Sequence, residues 1–555
     1  MTFFDISLMQ QKQSILWNTI LFDEWSKEIP VKDILRARFT DDDIIEWSLD
    51  DLYDPCLLAG MKEAVERIKK ARESNERVMI FWDYDVDGVT STSILMHFFK
   101  KIGLSVSYRL PHRVKDGYGM KQHFIDESKR LWVTLLVTVD CGTKDVEIIK
   151  YAKSVGIDVI VTDHHAVPDV IPEEAVAIIN PKRKDCPYPF KHLSGAWVAY
   201  KLMMALAREY FTEKEYKEYL QESIDIAAIG TVADCMSLTG ENRIIVQEGL
   251  KQLRYSRSRG IRHMIEDKIA SDLDADIFWF LIGPRLNAAG RMDTPYKAVN
   301  LLLNQEDSVM ETLQDIENLN DKRRKLTHLF VGEALETIDS TDNIIFYHSP
   351  KIEHGIIGIV AWRLTEQFYK PSIILIDEGH QLIASCRSPE YFDIVEILTR
   401  YSHFFERFWG HKQAAWFTIL KDKFDEFKTS ILKEVNSLDF THYTKTISVD
   451  KVVLPHEIWF RLLSEMNEFK PFWLWNPKPL LMIEGIDGKS VCYMGKGVDH
   501  IRFENAFGFK LVGFWFGKYL DEIKKQESIS IIFDLSEDSY NGRKNLMLKI
   551  VDIIF

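Results

Sequence analysis

Asp83, Asp85 and Asp87 put three carboxylates on alternate residues directly after the apolar run 78–81. A strand ending in alternating acids aims them towards one face at the carboxyl edge of a sheet. Like charges packed this closely repel, and a fold tolerates them best around a cation. Taken alone, the stretch also reads as an acidic surface turn.

Two further apolar runs end in acid. Residues 135–139 stop at Asp140, followed by Cys141-Gly142-Thr143, and residues 159–162 stop at Asp163-His164-His165. Both are short and rich in β-branched residues, with a helix predicted over 145–155 between them. That pattern predicts βαβ units around a buried parallel sheet. Ligands of such sheets bind beyond the carboxyl ends of the strands. Asp234, after Gly230-Thr231-Val232-Ala233, reads as a fourth acid-tipped segment. Carboxylates with one or two imidazoles suit Mg²⁺ or Mn²⁺ rather than zinc, and the chain has no CxxC or HExxH. The spacing leaves open which two of Asp83, Asp85 and Asp87 would bind metal directly.

The order DYDVDG, VDCGT, TDHH and GTVAD resembles the four motifs of the DHH phosphoesterases. Within them the chain is similar to the RecJ-type branch of single-strand-specific 5′→3′ exonucleases. Residues 283–291, GPRLNAAGR, match that branch's GPRxNAxGR. GIIGIVA at 355–361 with Arg363, then SCRS at 385–388 and GHKQAA at 410–415, resemble the DHH-associated domain. Lys470-Pro471-Phe472 with Asn476-Pro477 resembles the PFGxGNP segment before a carboxyl-terminal OB domain. The likeness runs from about Asp50 to Phe555. One departure is local: the family's histidine two residues before Gly355 is Glu353 here, with His354 beside it.

This resemblance implies two ions, Mn²⁺ or Mg²⁺, among Asp83, Asp85, Asp87, Asp140, His164 and Asp234, with Asp140 shared. Asp163 would orient an imidazole, and His165 would contact the phosphate or protonate the leaving group. Arg285, Asn287, Arg291, Arg363, Ser385, Arg387 and His411 would clamp the substrate's phosphates. The alternative for the arginines is an interdomain salt bridge. The implied activity is 5′→3′ degradation of single-stranded DNA to mononucleotides in recombination and repair. A single-strand-binding protein and a helicase are the implied partners of a monomer. Two other classes compete: a DHH phosphoesterase acting on short oligonucleotides or cyclic dinucleotides, and a non-catalytic single-strand-binding relative. The first would lack residues like 430–555, and the second would have lost metal acids.

At 555 residues the chain is too long for one core, and 46% hydrophobic content supports packed domains. Residues 1–50 are expected to be an amino-terminal extension packed on the first domain, and 51–245 the DHH phosphoesterase domain. Residues 246–340 would be a helical connector carrying GPRLNAAGR, with one long helix over 306–337. Residues 341–425 would form the DHH-associated substrate-binding domain, and 430–555 an OB-like nucleic-acid-binding domain. The expected fold class is α/β: a parallel-sheet domain, a long helical connector, a smaller α/β domain and a carboxyl-terminal OB-like β-barrel. Cys56, Cys141, Cys186, Cys235, Cys386 and Cys492 show no framework spacing, and the start shows no secretory pattern. These point to a soluble cytoplasmic protein. The net charge of −14 argues against indiscriminate duplex binding. Local basic runs remain, at Arg254, Arg257, Arg259 and Arg262 and at 322–325; each is either a nucleic-acid contact or a solvated helix face.

The tryptophans are oddly placed. Trp82, Trp409, Trp416, Trp473 and Trp475 stand where the resembling sequences carry glycine, and Trp197, Trp362 and Trp515 where glycine would be acceptable. Glycine serves where backbone turns left-handed or meets a ligand closely, and tryptophan is the worst steric replacement. UGA is read as tryptophan in some genetic codes and as glycine in others, which would produce this pattern. Real aromatics widening a base-stacking surface are the alternative.

Overall fold

The apolar runs fold as five short strands: β1 (Arg77–Trp82), β2 (Ser105–Arg109), β3 (Val133–Val139), β4 (Asp158–Thr162) and β5 (Ala177–Ile179). This computed structural model describes residues 19–21, 24–39, 48–82, 84–111, 119–268, 273–304, 306–440, 442–495, 497–504, 509–540 and 543–555. The sheet order is β2-β1-β3-β4-β5, parallel throughout. Alternate residues of β1 feed opposite cores: Val78, Ile80 and Trp82 face one, Met79 and Phe81 the other. Helices α1 (Met61–Glu73), α2 (Val86–Lys101) and α5 (Gly195–Tyr210) fill the first; α3 (Gln122–Arg130) and α4 (Val146–Ser154) fill the second. Burial on both faces explains why these strands read as continuous apolar runs. From β1 the chain moves outward to β2, then returns to place β3 on the other side of β1. That reversal opens a crevice at the carboxyl ends of β1 and β3.

The run before Asp234 is helical. It is the last turn of α6 (Glu213–Ala233), which packs with α5 against α2. The fourth acid-tipped segment is thus a helix end, unlike the strand ends that carry the other acids: Ile224, Ala227, Ala228 and Thr231 recur at helical spacing and are all buried. Beyond it, α7 (Gly283–Met292) carries GPRLNAAGR, and α8 (Val309–Thr337) is the long connecting helix. A second sheet follows, from β6 (Ile345–His348), β7 (Ser372–Glu378), β8 (Gln381–Arg387), β9 (Phe405–His411) and β10 (Ala414–Leu420), in the order β9-β10-β8-β7-β6. Helix α9 (Ile357–Phe368) packs on β7 and β8.

All of this lies in one compact unit, residues 46–433 with 471–475. The other unit comprises residues 1–45, 434–470 and 476–555. Its seven-stranded sheet runs in the order Lys451–Val452, Leu481–Ile486, Ile529–Tyr540, Arg543–Ile554, Lys510–Gly513, Ile501–Phe503, Val491–Tyr493. The amino-terminal segment belongs to this unit rather than to the first domain. Thr19–Leu21 pairs in parallel with Thr446–Ser448, and Lys451 Nζ donates to the Ile29 carbonyl at 2.7 Å. Such backbone pairing leaves little trace in residue type. Among the described residues no helix is long and apolar enough to cross a membrane, and all six cysteines are free.

Trp82 and Trp197 are fully buried, and Trp409 pairs across the β9–β10 ladder with Trp416. Trp132, Trp475 and Trp515 take left-handed backbone, with φ of 61°, 69° and 68°.

Candidate active site and metal centre

The crevice between β1 and β3 gathers the predicted acids. Asp83 lies outside the described residues. Asp85 caps α2, its carboxylate accepting from the Gly88 N–H at 3.1 Å. Asp87, one turn in, is buried and accepts from the N–H groups of Gly195 (2.6 Å) and Ala196 (2.8 Å) at the start of α5. Asp140 leaves β3 with φ of 58°, a left-handed turn that aspartate tolerates better than most residues. Its Oδ1 lies 3.1 Å from His164 Nε2. The same imidazole nitrogen is 3.4 Å from Asp234 Oδ2 and 3.7 Å from Asp87 Oδ2.

Two donor sets therefore overlap at His164: Asp87, His164 and Asp234, and Asp140, His164 and His165. Within each, one ligand atom per residue falls within 4.8 Å of the others. Asp140 Oδ1, Asp234 Oδ2 and both nitrogens of His164 are buried without a hydrogen-bond partner. Buried polar atoms ordinarily find partners. Lone pairs left open and converging, mostly from carboxylates, fit a hard divalent cation.

The protonation states agree. Burial, then the charge of Asp85, lifts Asp87 to about 7 against the pull of the two backbone N–H donors. Burial and the neighbouring carboxylates likewise push Asp140 and Asp234 well up. Burial first, and the charge of His165 second, lower His164 to about 3, leaving it neutral as a ligand must be. His165 is different. Burial opposes its charge, but Asp163 Oδ1 sits 2.8 Å from Nδ1 and the net shift is upward. Asp163 is itself held low: burial raises it, and the hydrogen bond and charge of His165 outweigh that. It also accepts from the N–H groups of Thr143, His164 and His165. Asp163 thus fixes the loop and the proton on His165.

Residues that sequence reasoning did not single out complete the framework. Gly195 is required by space: a Cβ there would lie 2.7 Å from Asp140 Cβ and 2.9 Å from Asp87 Oδ2. Backbone donors carry no residue-type signal; the only cue was Ser194-Gly195 opening a helix. Asn180 ties the loops together, its Nδ2 donating to Thr143 Oγ1 and the His165 carbonyl.

The connector and second sheet reach the same opening. Gly290 packs so closely that a Cβ would meet the Tyr84 carbonyl at 2.7 Å. Arg291 donates to the Gly355 carbonyl at 3.2 Å, joining α7 to the start of α9. Arg387 lies beside Ser385 Oγ (3.4 Å), both against Gly358. His411, at the end of β9, is lowered by burial and then by the charges of Lys144, His165 and Lys182. Its neighbours include the His165 loop. Lys144 rests 5.3 Å over the Trp409 ring, which meets His411 edge-on. Arg363 lies 5.2 Å over the Trp362 ring, and Asn287 is half-buried on α7. Arg285 pairs with Glu317 of α8 at 2.6 Å, within the connector. In the Arg254–Arg262 run, Arg257 pairs with Glu222 and covers the Tyr219 ring, and Arg259 pairs with Asp307.

The comparisons match this architecture. Residues 77–231 match the model of the DHH family N-terminal domain, 341–437 the DHHA1 domain and 449–552 the RecJ OB domain. The chain is 35% identical over 515 residues to the single-stranded-DNA-specific exonuclease RecJ of Bacillus subtilis, covering 90% of this chain and 64% of that protein. It is 33% identical over 448 residues to the Escherichia coli protein of the same name, covering 76% of this chain and 77% of that one. The crystal structure of Thermus thermophilus RecJ in complex with Mn²⁺ superposes with a TM-score of 0.80 at 25% identity, over 96% of this chain and 76% of that one. With the acid-tipped parallel sheet, the connector and the second sheet in the same order, the chain belongs to the RecJ family of DHH proteins.

Proposed function

We propose that this chain is a metal-dependent 5′→3′ exonuclease degrading single-stranded DNA to mononucleotides in recombination and repair. It would work as a monomer in the cytoplasm, with a single-strand-binding protein and a helicase as partners. The observation that carries the reading is the convergence of Asp87, Asp140 and Asp234 on His164, with open lone pairs, at the sheet's switch point. The names of the relatives support the substrate.

Asp85, Asp87, Asp140, His164 and Asp234, with Asp83 before them, would hold two ions of Mn²⁺ or Mg²⁺. Such ions make water a nucleophile at neutral pH and neutralise charge on the leaving oxygen. The chain's own groups do the rest. Gly195 and Ala196 hold the buried Asp87 in place. His165, kept protonated by Asp163, donates a hydrogen bond to the phosphate or a proton to the departing oxygen. Arg291, Arg387, Ser385 and His411, carried by the connector and second sheet, bind the phosphates flanking the cut. Guanidinium suits that role because its fork matches phosphate oxygens and keeps its charge.

The test uses internally labelled single strands blocked at either the 5′ or the 3′ end, with Mn²⁺. A 5′ block should stop release of mononucleotides and a 3′ block should not. The reverse result would overturn the polarity, and resistance of every long strand would overturn the substrate.

A further inference from the structure

We infer that Arg323, on α8, forms a phosphate site that binds the strand away from the cut. The inference rests on the proposed activity on single-stranded DNA. Arg323 is half-buried, with Nη2 donating to Asn320 Oδ1 at 3.0 Å and Nε buried without a partner. Helices α8 and α9 pack together. Among the described residues neither Arg323 nor Arg363 forms an ion pair, whereas neighbouring Lys322 pairs with Glu353 and Arg324 faces Asp321. Burial, then the charges of Arg324 and Arg363, disfavour the proton on Arg323. Arg323 thus keeps a half-buried guanidinium with a donor left over and no ion pair among the described residues. A strand phosphate supplies the missing anion, a partner that guanidinium binds well.

Arg323→Gln should raise KM for a single-stranded 20-mer about tenfold, and lower the slope of log KM against log salt by about 0.7, one phosphate contact's worth. Turnover at saturation should hold, because Arg323 lies outside the reacting groups. Unchanged KM and salt slope in an enzyme that degrades the 20-mer would overturn this site and leave the proposed function standing. Failure of the unsubstituted protein to degrade it would instead remove the function on which the site rests.

A separate observation concerns Trp132, Trp475 and Trp515. We propose that these positions are glycine in the protein as its source cell makes it. Five helices around the first sheet end alike: the residue after each C-cap donates to a carbonyl three back, and the backbone is left-handed; α6 ends so with Cys235, φ 56°. Asn75 ends α1, Gly103 ends α2 and Gly156 ends α4, with φ of 51°, 76° and 86°. Trp132 ends α3 with φ of 61°, its N–H donating to the Lys129 carbonyl at 3.0 Å. Glycine and asparagine are favoured at such positions, where a Cβ is crowded by the backbone, and a bulky side chain is the least suited. Trp475 and Trp515 share the conformation, and all three indoles project into solvent, 78%, 77% and 72% exposed. His500 meets the Trp515 ring edge-on at 4.7 Å, yet that indole stays exposed like the other two. A codon such as UGA, read as glycine in some codes, reconciles the residue with the fold. Peptide mass spectrometry on protein isolated from the source cell decides it. Glycine is expected at all three positions, and tryptophan there would overturn the proposal.

Discussion

Gly195→Ala should cripple the reaction while leaving most of the fold standing. The added Cβ would lie 2.7 Å from Asp140 Cβ, where ordinary contact begins at 3.4 Å, so about 0.7 Å must be found. The near neighbour is Asp140 Cβ, fixed to a left-handed backbone, rather than the far end of a flexible chain. Asp87 Oδ2 is pressed as well, at 2.9 Å, while it accepts from the Gly195 N–H. Metal ligands on both sides of the centre must therefore move. Misplacement of about 1 Å costs roughly a hundredfold in rate, and overpacking of this size costs about 1–3 kcal/mol. The expected result is a fall in kcat of about thirty- to a hundredfold on single-stranded DNA with Mn²⁺, and weaker Mn²⁺ activation. The melting temperature, followed in parallel, should drop by only a few degrees, roughly as 1–3 kcal/mol implies for so long a chain. Turnover within threefold of the unsubstituted protein would refute the claim that α5 sets the spacing of Asp87 and Asp140.

Asp163→Asn removes the charge that holds the proton on His165, so the imidazole pKa falls; the limb of the pH–rate profile along which His165 loses its proton should move to lower pH, as kcat measured across pH 5–9 would show. Adding Mn²⁺ to metal-free protein should raise the melting temperature more at pH 8 than at pH 6, because protons compete for Asp87, whose pKa stands near 7; equal shifts would remove Asp87 from the site. Asp225 is fully buried, and burial lifts it to about 6 from an ordinary 3.8. The folded state then binds the proton more tightly, so this stability is full below pH 4 and lost as pH rises through about 6. Asp225→Asn should therefore stabilise the protein by about 2–3 kcal/mol at pH 8 and by little at pH 4, read from urea unfolding at both.

The sheet and its acids were legible because burial on both faces writes strands as apolar runs, and the acids come where those runs stop. The element before Asp234 was less legible: a short run such as Gly-Thr-Val-Ala before an acid looks alike in a strand or a helix end, and only the spacing back to Ile224 separates them. The Gly195 and Ala196 donors were invisible because every residue but proline offers the same N–H. The pairing of Arg285 with Glu317 was not legible, because Glu317 lies on a later helix with nothing local to announce it. The joining of residues 19–39 to a unit built mainly from the far end of the chain is likewise a long-range pairing that no local pattern encodes.

The central claim is that Asp140 belongs to a centre that hydrolyses single-stranded DNA. Its most direct measurement is mononucleotide release from a 5′-phosphorylated single strand with Mn²⁺, comparing the unsubstituted protein with Asp140→Ala. The account predicts steady release by the first and loss of at least about a thousandfold in the second, with unfolding of the metal-free variant no easier because a repelling charge has gone. Release by Asp140→Ala at more than a few per cent of the unsubstituted rate would contradict it.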